Sequence, residues 1–242
     1  MPRFYLPPDA WQSGILAGDE ARHLAQVLRL KRGDTITVFD GRGRRAEADV
    51  LNASRHEVTL QLHESSTVPP PLPAITLAQA IPKGKTMDLI VQKAVELGVA
   101  SIQPLITKNT VVQPDEGKSD KWRRTAMEAC KQCGQDTLPQ IADPLPFDLW
   151  LKSGAGVPPA AHHLKIIASL APGAAPLREL LHAHSDHPCA ATLLVGPEGD
   201  FTPQETASAL DAGFLPASLG EIVLRVETAT LFCLSVLKYE FG

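Results

Sequence analysis

A cluster of prolines divides this chain of 242 residues into two parts with different patterns of apolar residues. The cluster, at residues 68–73, favours an extended and semi-rigid backbone, which is typical of a linker between domains. It predicts a first domain over residues 1–68 and a second over residues 74–242. Apolar residues make up 44 % of the chain, enough to form a core in each part.

The first part alternates apolar and polar residues with a period of two, as half-buried strands do. Residues 35–39, 46–51 and 57–62 show this alternation, and a turn at residues 40–43 separates the first two. One short helix is predicted over residues 20–28. These signals predict a small domain built like a β-barrel.

The second part alternates apolar runs with helical patterns, which predicts an α/β fold with a mostly parallel sheet and helices on both faces. The predicted strands cover residues 75–80, 101–106, 165–170 and 193–195, followed by short extended runs at 214–219 and 222–224. The predicted helices begin near Thr86, before Trp122, near Leu177, after Thr202 and near Thr228.

Two glycine-bearing segments, residues 193–199 and 219–229, each follow an apolar run and precede the start of a helix. Ligands of open α/β sheets bind where strand ends open into loops, so these segments predict a small-molecule pocket lined by backbone. Glu198, Arg225 and Glu227 place two carboxylates and a guanidinium beside it. Such groups can bind and orient a polar substrate.

The net charge of −4 argues against a protein that coats nucleic acid, although local basic clusters can still attract phosphate. Arg42, Arg44 and Arg45 lie on or beside the turn of the first part, and Lys83 and Lys85 lie between a strand end and a helix start. Either a solvated charged surface or a phosphate-contacting face fits this pattern.

Two apparent cofactor motifs lack the context that their chemistry needs. Gly41-Arg42-Gly43 matches a dinucleotide-binding pattern, but a strand follows it rather than a helix. Cys130 and Cys133 end a helix on its apolar face, whereas redox C-x-x-C motifs begin one. Without a second C-x-x-C to complete a zinc site, this pair predicts buried packing, and we expect no metal.

The chain has neither the run of roughly 18 apolar residues that spans a membrane nor the apolar core of a signal peptide. We therefore expect a cytoplasmic protein that does not bind membranes.

Several motifs along the chain together resemble one known family. They are His23-x-x-x-Val27-Leu28-Arg29, Lys83-Gly84, Gln92-Lys93, Glu96-Leu97-Gly98-Val99, the helix with Trp122, Glu128-Ala129 and Gln132, and the segments 194–199 and 224–229. The last two are the most specific. Their order and spacing resemble the 16S ribosomal RNA uracil-N3 methyltransferases of the RsmE type, in the SPOUT class, over essentially the whole chain.

The resemblance implies a SPOUT-type parallel sheet with a trefoil knot, preceded by a PUA-like domain that helps to hold RNA. It implies a homodimer whose active site forms at the knot, acting on 16S ribosomal RNA or the assembled 30S subunit. It also implies S-adenosylmethionine, bound in a bent form by the residues Leu170, Val195, Gly196, Pro197, Glu198, Gly199, Leu219, Gly220, Ile222, Val223, Leu224, Thr228 and Ala229.

The chemistry implied by the resemblance is methyl transfer to N3 of a uridine. Arg225 is expected to stabilise charge on a uracil oxygen, and either Glu198 or Glu227 is the base or orienting group. The expected RNA-binding residues are Arg22, His23, Arg29, Arg42, Arg44, Arg45, Lys83, Lys85, Lys93, Arg123 and Arg124.

The chain departs from the family pattern at Lys108-Asn109, Gln135 and Asp200, where the family usually has Glu-Arg, Arg and Gly. Three alternatives therefore stay open. They are another SPOUT methyltransferase with a different target nucleotide, a non-catalytic RNA-binding protein, and a nicotinamide oxidoreductase, which would need a helix after Gly43.

Overall fold

The computed structural model describes residues 1–112, 115, 117–154, 162–184 and 188–242. The chain forms two compact units, Met1–Pro70 with Met127–Leu138, and Pro71–Ala126 with Pro139–Gly242. The predicted boundary places residues 127–138 in the second domain, whereas the structure groups them with the first unit. Ion pairs at 2.8 Å from Lys131 to Glu20 and at 2.6 Å from Arg3 to Asp136 connect this segment to the N-terminal residues.

The first unit contains a five-stranded sheet with a small helical segment. Its elements are β1 (Arg3–Tyr5), β2 (Ile15–Ala17), α1 (Gly18–Arg22), a π-helical turn (His23–Val27), β3 (Thr35–Phe39), β4 (Arg44–Ala53) and β5 (Glu57–Thr67). The strand order is β1-β3-β4-β5-β2, with β1 parallel to β3 and the other pairs antiparallel. The alternating residues of β3, β4 and β5 bury one face around Phe4, Leu16 and Leu24.

The three strands predicted in this unit are confirmed, whereas β1 and β2 were missed. Each of these two strands has only three residues, too few to show a period of two. The predicted helix over residues 20–28 was wrong in its bounds and its form. The helix begins at Gly18 and widens into a π-helical turn at His23, after which Arg29 has a left-handed backbone with φ 56°.

Gly43 ends the turn before β4 and lies against the end of β5. Its backbone is left-handed, with φ 96°, and its N–H donates to the carbonyl of Asp136. A Cβ at this position would lie 2.3 Å from the carbonyl oxygen of Val68. The motif at residues 41–43 is therefore a turn followed by β4, as predicted, and it offers no helix N-terminus to a dinucleotide.

The second unit is a parallel sheet flanked by helices. Its elements are β6 (Ala74–Ala80), α2 (Thr86–Glu96), β7 (Ser101–Ile106), α3 (Lys118–Cys133, shared with the first unit), β8 (Gln140–Ile141), β9 (Leu145–Pro146), α4 (Phe147–Ser153), β10 (His163–Ala168), β11 (Ala175–Pro176), α5 (Leu177–Ala183), β12 (Ala190–Val195), α6 (Pro203–Asp211), β13 (Leu215–Ser218) and α7 (Val226–Phe241). The order is β11-β13-β10-β12-β6-β7-β8, with β9 also pairing β7.

The central strands of this sheet are β6, β10 and β12, which pair in parallel. Every residue of β12 is buried, as expected for a parallel strand that is covered on both faces. The capping box that the sequence predicts at the start of α6 is present, because Thr202 and Glu205 satisfy each other's backbone N–H groups. Phe147, Trp150 and Phe201 pack together in one core of this unit.

Two expectations for this unit were wrong. Residues 222–224 are a loop without strand pairing, and the side chains of Ile222 and Val223 are 74 % and 75 % exposed. Cys133 is exposed rather than packed, whereas Cys130 is buried as predicted. Burial raises the pKa of the Cys130 thiol to about 12, so this thiol stays protonated and unreactive near neutral pH.

We predict that Gly43→Ala destabilises the protein more than Gly33→Ala does. Both glycines are left-handed, with φ of 96° and 93°, so both substitutions carry a backbone cost of about 1–2 kcal/mol. Only at Gly43 does the new Cβ also collide with a carbonyl, because nothing lies within 4 Å at Gly33. The collision adds about 1–3 kcal/mol. Urea denaturation measures the difference, and equal losses would contradict this account.

Candidate functional site

A cleft of about 390 Å³ lies at the carboxyl edge of the parallel sheet in the second unit. Parallel pairing brings the ends of β10, β12 and β13 to the same edge, so the segments after these strands meet there. The lining residues are Thr86, Ala168, Ser169, Leu170, Val195, Gly196, Pro197, Glu198, Asp200, Leu219, Gly220, Ile222, Val223, Leu224, Arg225, Val226, Glu227 and Ala229.

The structure brings almost all of the residues expected to bind the cofactor or act in catalysis to this cleft. The two exceptions are Gly199 and Thr228, which lie outside its lining. Five lining residues were missed, namely Thr86, Ala168, Ser169, Asp200 and Val226. Ala168 and Ser169 could have been predicted as Gly196 was, because they too lie at the end of an apolar strand.

The segment after β12, residues 196–200, is a tight turn. The N–H of Asp200 donates to the carbonyl of Pro197 at 2.9 Å, and Asp200 itself is left-handed, with φ 57°. The side-chain amide of Asn109 donates to the carbonyls of Gly199 and Asp200, each at 2.9 Å. Asn109 and Asp200, two of the departures from the family pattern, are therefore in contact and fix this turn together.

Gly196 and Asp200 fit each other closely. A Cβ on Gly196 would lie 2.8 Å from Oδ1 of Asp200, so any other residue here would force that carboxylate to shift. That oxygen also accepts the N–H of Phe201 at 2.8 Å. Burial raises the pKa of Asp200 above its ordinary value, while the hydrogen bond from Phe201 opposes that shift. A carboxylate held beside the cleft favours a ligand with positive charge.

Glu198 connects the turn after β12 to the segment between β6 and α2. Its Oε1 accepts the backbone N–H of Lys83 at 2.9 Å. The side chains of Glu198, Lys83 and Lys85 are all exposed. Glu198 therefore has a structural role at the edge of the cleft, in addition to any chemical one.

The segment after β13 ends in the first turn of α7. Arg225 is the N-cap residue, and its carbonyl accepts the N–H of Ala229 at 2.8 Å. No side chain caps this end of the helix, so the first-turn N–H groups are open to an acceptor on a ligand. Arg225 and Glu227 both line the cleft, which places opposite charges at the helix start.

In the first unit, four of the residues expected to contact RNA have side-chain contacts within the protein, and two more are described by their exposure. Arg44 pairs with Asp40 at 3.2 Å, and its guanidinium lies 4.0 Å from the ring centre of Trp11. Arg45 pairs with Asp136 at 3.5 Å. Arg22 pairs with Asp19, and His23 packs edge-on against Phe4. Arg29 and Arg42 are exposed.

In the second unit, three of the residues expected to contact RNA have partners on the protein. Lys93 pairs with Glu96 at 2.8 Å. Arg123 pairs with Asp120 and Asp143, and hydrogen bonds to these two carboxylates raise its pKa. Arg124 is exposed, with Nε 3.4 Å from the carbonyl of Asp120.

The part of the chain that the structure describes contains no group of three or more histidine, cysteine, aspartate or glutamate residues that could hold a metal ion. No helix within those same ranges is long and apolar enough to cross a membrane.

Both parts of the chain match families of RNA-modifying enzymes. A family model for an RNA methyltransferase domain matches residues 69–238, and a model for an RNA methyltransferase PUA domain matches residues 16–62. The ribosomal RNA small subunit methyltransferase E of Synechocystis sp. is 34 % identical over 89 % of this chain and 69 % of its own length. The protein of that name from Bacillus subtilis is 27 % identical, over 93 % and 89 %.

A solved structure has the same fold over the full length of the chain. It is the ribosomal RNA small subunit methyltransferase E of Neisseria gonorrhoeae, bound to S-adenosyl methionine. The two chains superpose with a TM-score of 0.88 at 32 % identity, covering 100 % of this chain and 98 % of that one.

We predict that Asp200→Asn raises the melting temperature of the ligand-free protein at pH 7. Because burial raises the pKa of Asp200, folding favours its protonated form, and the charged form carries a penalty at neutral pH. Asparagine keeps the left-handed turn without the charge. The gain should shrink as the pH falls through the raised pKa of Asp200 and be absent below about 4, where the aspartate of the unfolded chain is protonated as well.

Asp49→Asn is the control, because the pKa of Asp49 is shifted in the opposite direction from that of Asp200. Hydrogen bonds from Thr35 and then His63 lower the pKa of Asp49, so its charged form stabilises the folded protein. This variant should melt below the wild type at pH 7, with a difference that also shrinks in acid. A melting temperature for Asp200→Asn at or below that of the wild type at pH 7 would refute the prediction.

Proposed function

Because the chain belongs to the ribosomal RNA small subunit methyltransferase E family, we propose that it transfers a methyl group from S-adenosylmethionine to N3 of a uridine in 16S ribosomal RNA. The observation that carries the proposal is the cleft at the carboxyl edge of the sheet, where the turn after β12 and the loop after β13 meet. The two most specific family segments form these two loops.

The residues of the cleft fit the chemical groups of S-adenosylmethionine. Leu170, Leu219 and Ile222 offer apolar side chains to an adenine ring. The uncapped start of α7 suits a carboxylate, and the carboxylate of Asp200 suits an ammonium or sulfonium group. When bound, the sulfonium supplies a methyl group that is already strongly electrophilic.

The protein then has to position the uracil and remove the proton from N3. Arg225 stabilises the negative charge that spreads to a uracil oxygen as this proton leaves. Glu227, in the first turn of α7, is the base, whereas Glu198 holds the backbone of Lys83 and so positions the rim of the cleft. A positioned base contributes typically ~10²–10⁴-fold to the rate.

The proposal includes a homodimer that acts in the cytoplasm on 16S RNA or the assembled 30S subunit. Apolar side chains that lie open on the second unit support an interface between copies. Ile222 and Val223 lie on the loop after β13, and Phe232 and Tyr239, which are 44 % and 88 % exposed, lie on α7. A second copy that covers Ile222 and Val223 would complete the rim of the cleft, since both line it.

We predict that Arg225→Ala and Glu227→Gln each lower the rate of methyl transfer by about 10²-fold or more, with the affinity for S-adenosylmethionine changed by less than about threefold. The measurement is transfer of labelled methyl to small ribosomal subunits that lack the modification, followed by digestion and chromatography of the nucleosides. Label in N3-methyluridine supports the proposed reaction, and label in another nucleoside indicates a different SPOUT target.

Glu179→Gln is the control, because Glu179 is exposed on α5 and away from the cleft lining. It should leave both the rate and the affinity unchanged. Full turnover by Arg225→Ala would remove the proposed role of Arg225. Wild-type protein that binds no cofactor by calorimetry would remove the methyltransferase proposal and favour a non-catalytic RNA-binding protein.

We predict that Arg29→Ala weakens RNA binding and lowers the slope of log Kd against log salt concentration by about 1, because one phosphate contact is lost. Arg29 is exposed at the end of the π-helical turn. Arg178→Ala, at an exposed position on α5, is the control and should leave the slope unchanged. Filter binding to a 16S RNA fragment measures both, and equal slopes for Arg29→Ala and wild type would exclude Arg29 as a contact.

A further inference from the structure

We propose that Gln79 and Thr230 form a buried clamp that sets the separation of the two loops of the cleft, and so act as positioning residues for cofactor binding. The inference rests on the proposed function, since it concerns the site of S-adenosylmethionine. Neither side chain lines the cleft, and both are fully buried.

Gln79 lies near the end of β6, a strand whose other buried residues are apolar except for Thr76 near its beginning. Its Oε1 accepts the hydroxyl of Thr230 at 2.7 Å. Its Nε2 donates to the carbonyl of Ala80 at 2.9 Å and has a longer contact of 3.5 Å with the carbonyl of Val195. Gln79 is also the register partner of Val195 in the β6–β12 ladder.

Thr230 lies in the second turn of α7. Its hydroxyl is 2.7 Å from Gln79 and 2.9 Å from the carbonyl of Val226, so its single proton is shared between two acceptors. Val226 is the first residue of α7 and lines the cleft. The hydroxyl therefore connects the start of this helix to the side chain of Gln79.

The two ends of the clamp reach the two halves of the site. Val195 is the last residue of β12 before Gly196, and Val226 follows the loop that ends in Arg225. Both residues line the cleft, Val195 beside the turn after β12 and Val226 beside the loop after β13. A short hydrogen bond between a buried amide and a buried hydroxyl has a narrow range of distances, whereas an apolar contact can slide.

Core packing alone does not explain this pair. A buried amide and hydroxyl contribute only about 1 kcal/mol net to stability, while either one left unpaired costs about 1–3 kcal/mol. Apolar residues of the same shape would fill the space without that risk. The polar pair is therefore better explained by the fixed geometry that it imposes on the cleft.

The same sheet offers a matched comparison. The hydroxyls of Thr76 and Ser101 lie 2.8 Å apart at the beginning of β6 and β7, away from the carboxyl edge. Thr76→Val and Thr230→Val each remove one hydroxyl from a hydrogen-bonded pair in this unit and replace it with a methyl group. Only the second variant breaks a contact that connects to the cleft.

The experiment measures two quantities for each variant, the melting temperature without ligand and the Kd for S-adenosylmethionine by titration calorimetry. We expect Thr230→Val to raise the Kd about tenfold and Thr76→Val to change it less than twofold. Both should lower the melting temperature, Thr230→Val more, because it leaves the buried amide of Gln79 without its partner. Thr230→Ser keeps the hydroxyl and should restore the Kd. If Thr230→Val does not fold, Thr230→Ala removes the same hydroxyl without adding a methyl group and should show the same loss.

Two outcomes would overturn the clamp. One is a wild-type Kd in the Thr230 variants that lack the hydroxyl, and the other is an equal loss of affinity in Thr76→Val. Failure of the proposed function is separate and visible in the same data, because wild-type protein would then give no binding heat with S-adenosylmethionine. In that case the inference falls with the function on which it rests.

Discussion

Parallel pairing of buried strands is the constraint on which the site depends. β6, β10, β12 and β13 run in the same direction, so each of them opens into a loop at one edge of the sheet. Segments separated by many residues in sequence therefore meet there and line the cleft together. The start of α7 adds N–H groups that no side chain caps. The sheet thus positions the cleft, and the charged residues Glu198, Asp200, Arg225 and Glu227 line it.

The sequence predicted the strands and the loops of the second unit well, because a buried parallel strand and a glycine-bearing turn are local signals. Gly196 and Gly220, which carry that signal, both lie in the lining of the cleft. Residues 222–224 were wrongly predicted as extended, since an apolar run carries the same signal whether or not a neighbouring strand exists to pair with it. Their exposure at the cleft rim depends on the fold around them.

Asp200 and Gln79 show what local patterns cannot contain. The left-handed turn at Asp200 is fixed by the amide of Asn109, which lies 91 residues earlier in the chain. Gln79 is a fully buried polar residue in a mostly apolar strand, and its partner Thr230 is 151 residues away. In both cases the structural role of a polar residue depends on a long-range contact that forms only in the folded protein. Sequence spacing alone identifies such a residue as unusual but does not identify its partner.

The segment 127–138 belongs to the first unit although it lies more than fifty residues beyond the proline cluster. The ion-pair partners of Arg3 and Glu20, Asp136 and Lys131, lie in that segment. During synthesis, the first 70 residues therefore emerge from the ribosome before the segment that completes their unit. The strands β6 and β7 and the helix α2 of the other unit emerge before that segment does. The N-terminal unit can thus still be completed before the other one, but only after a large part of that second unit has been made.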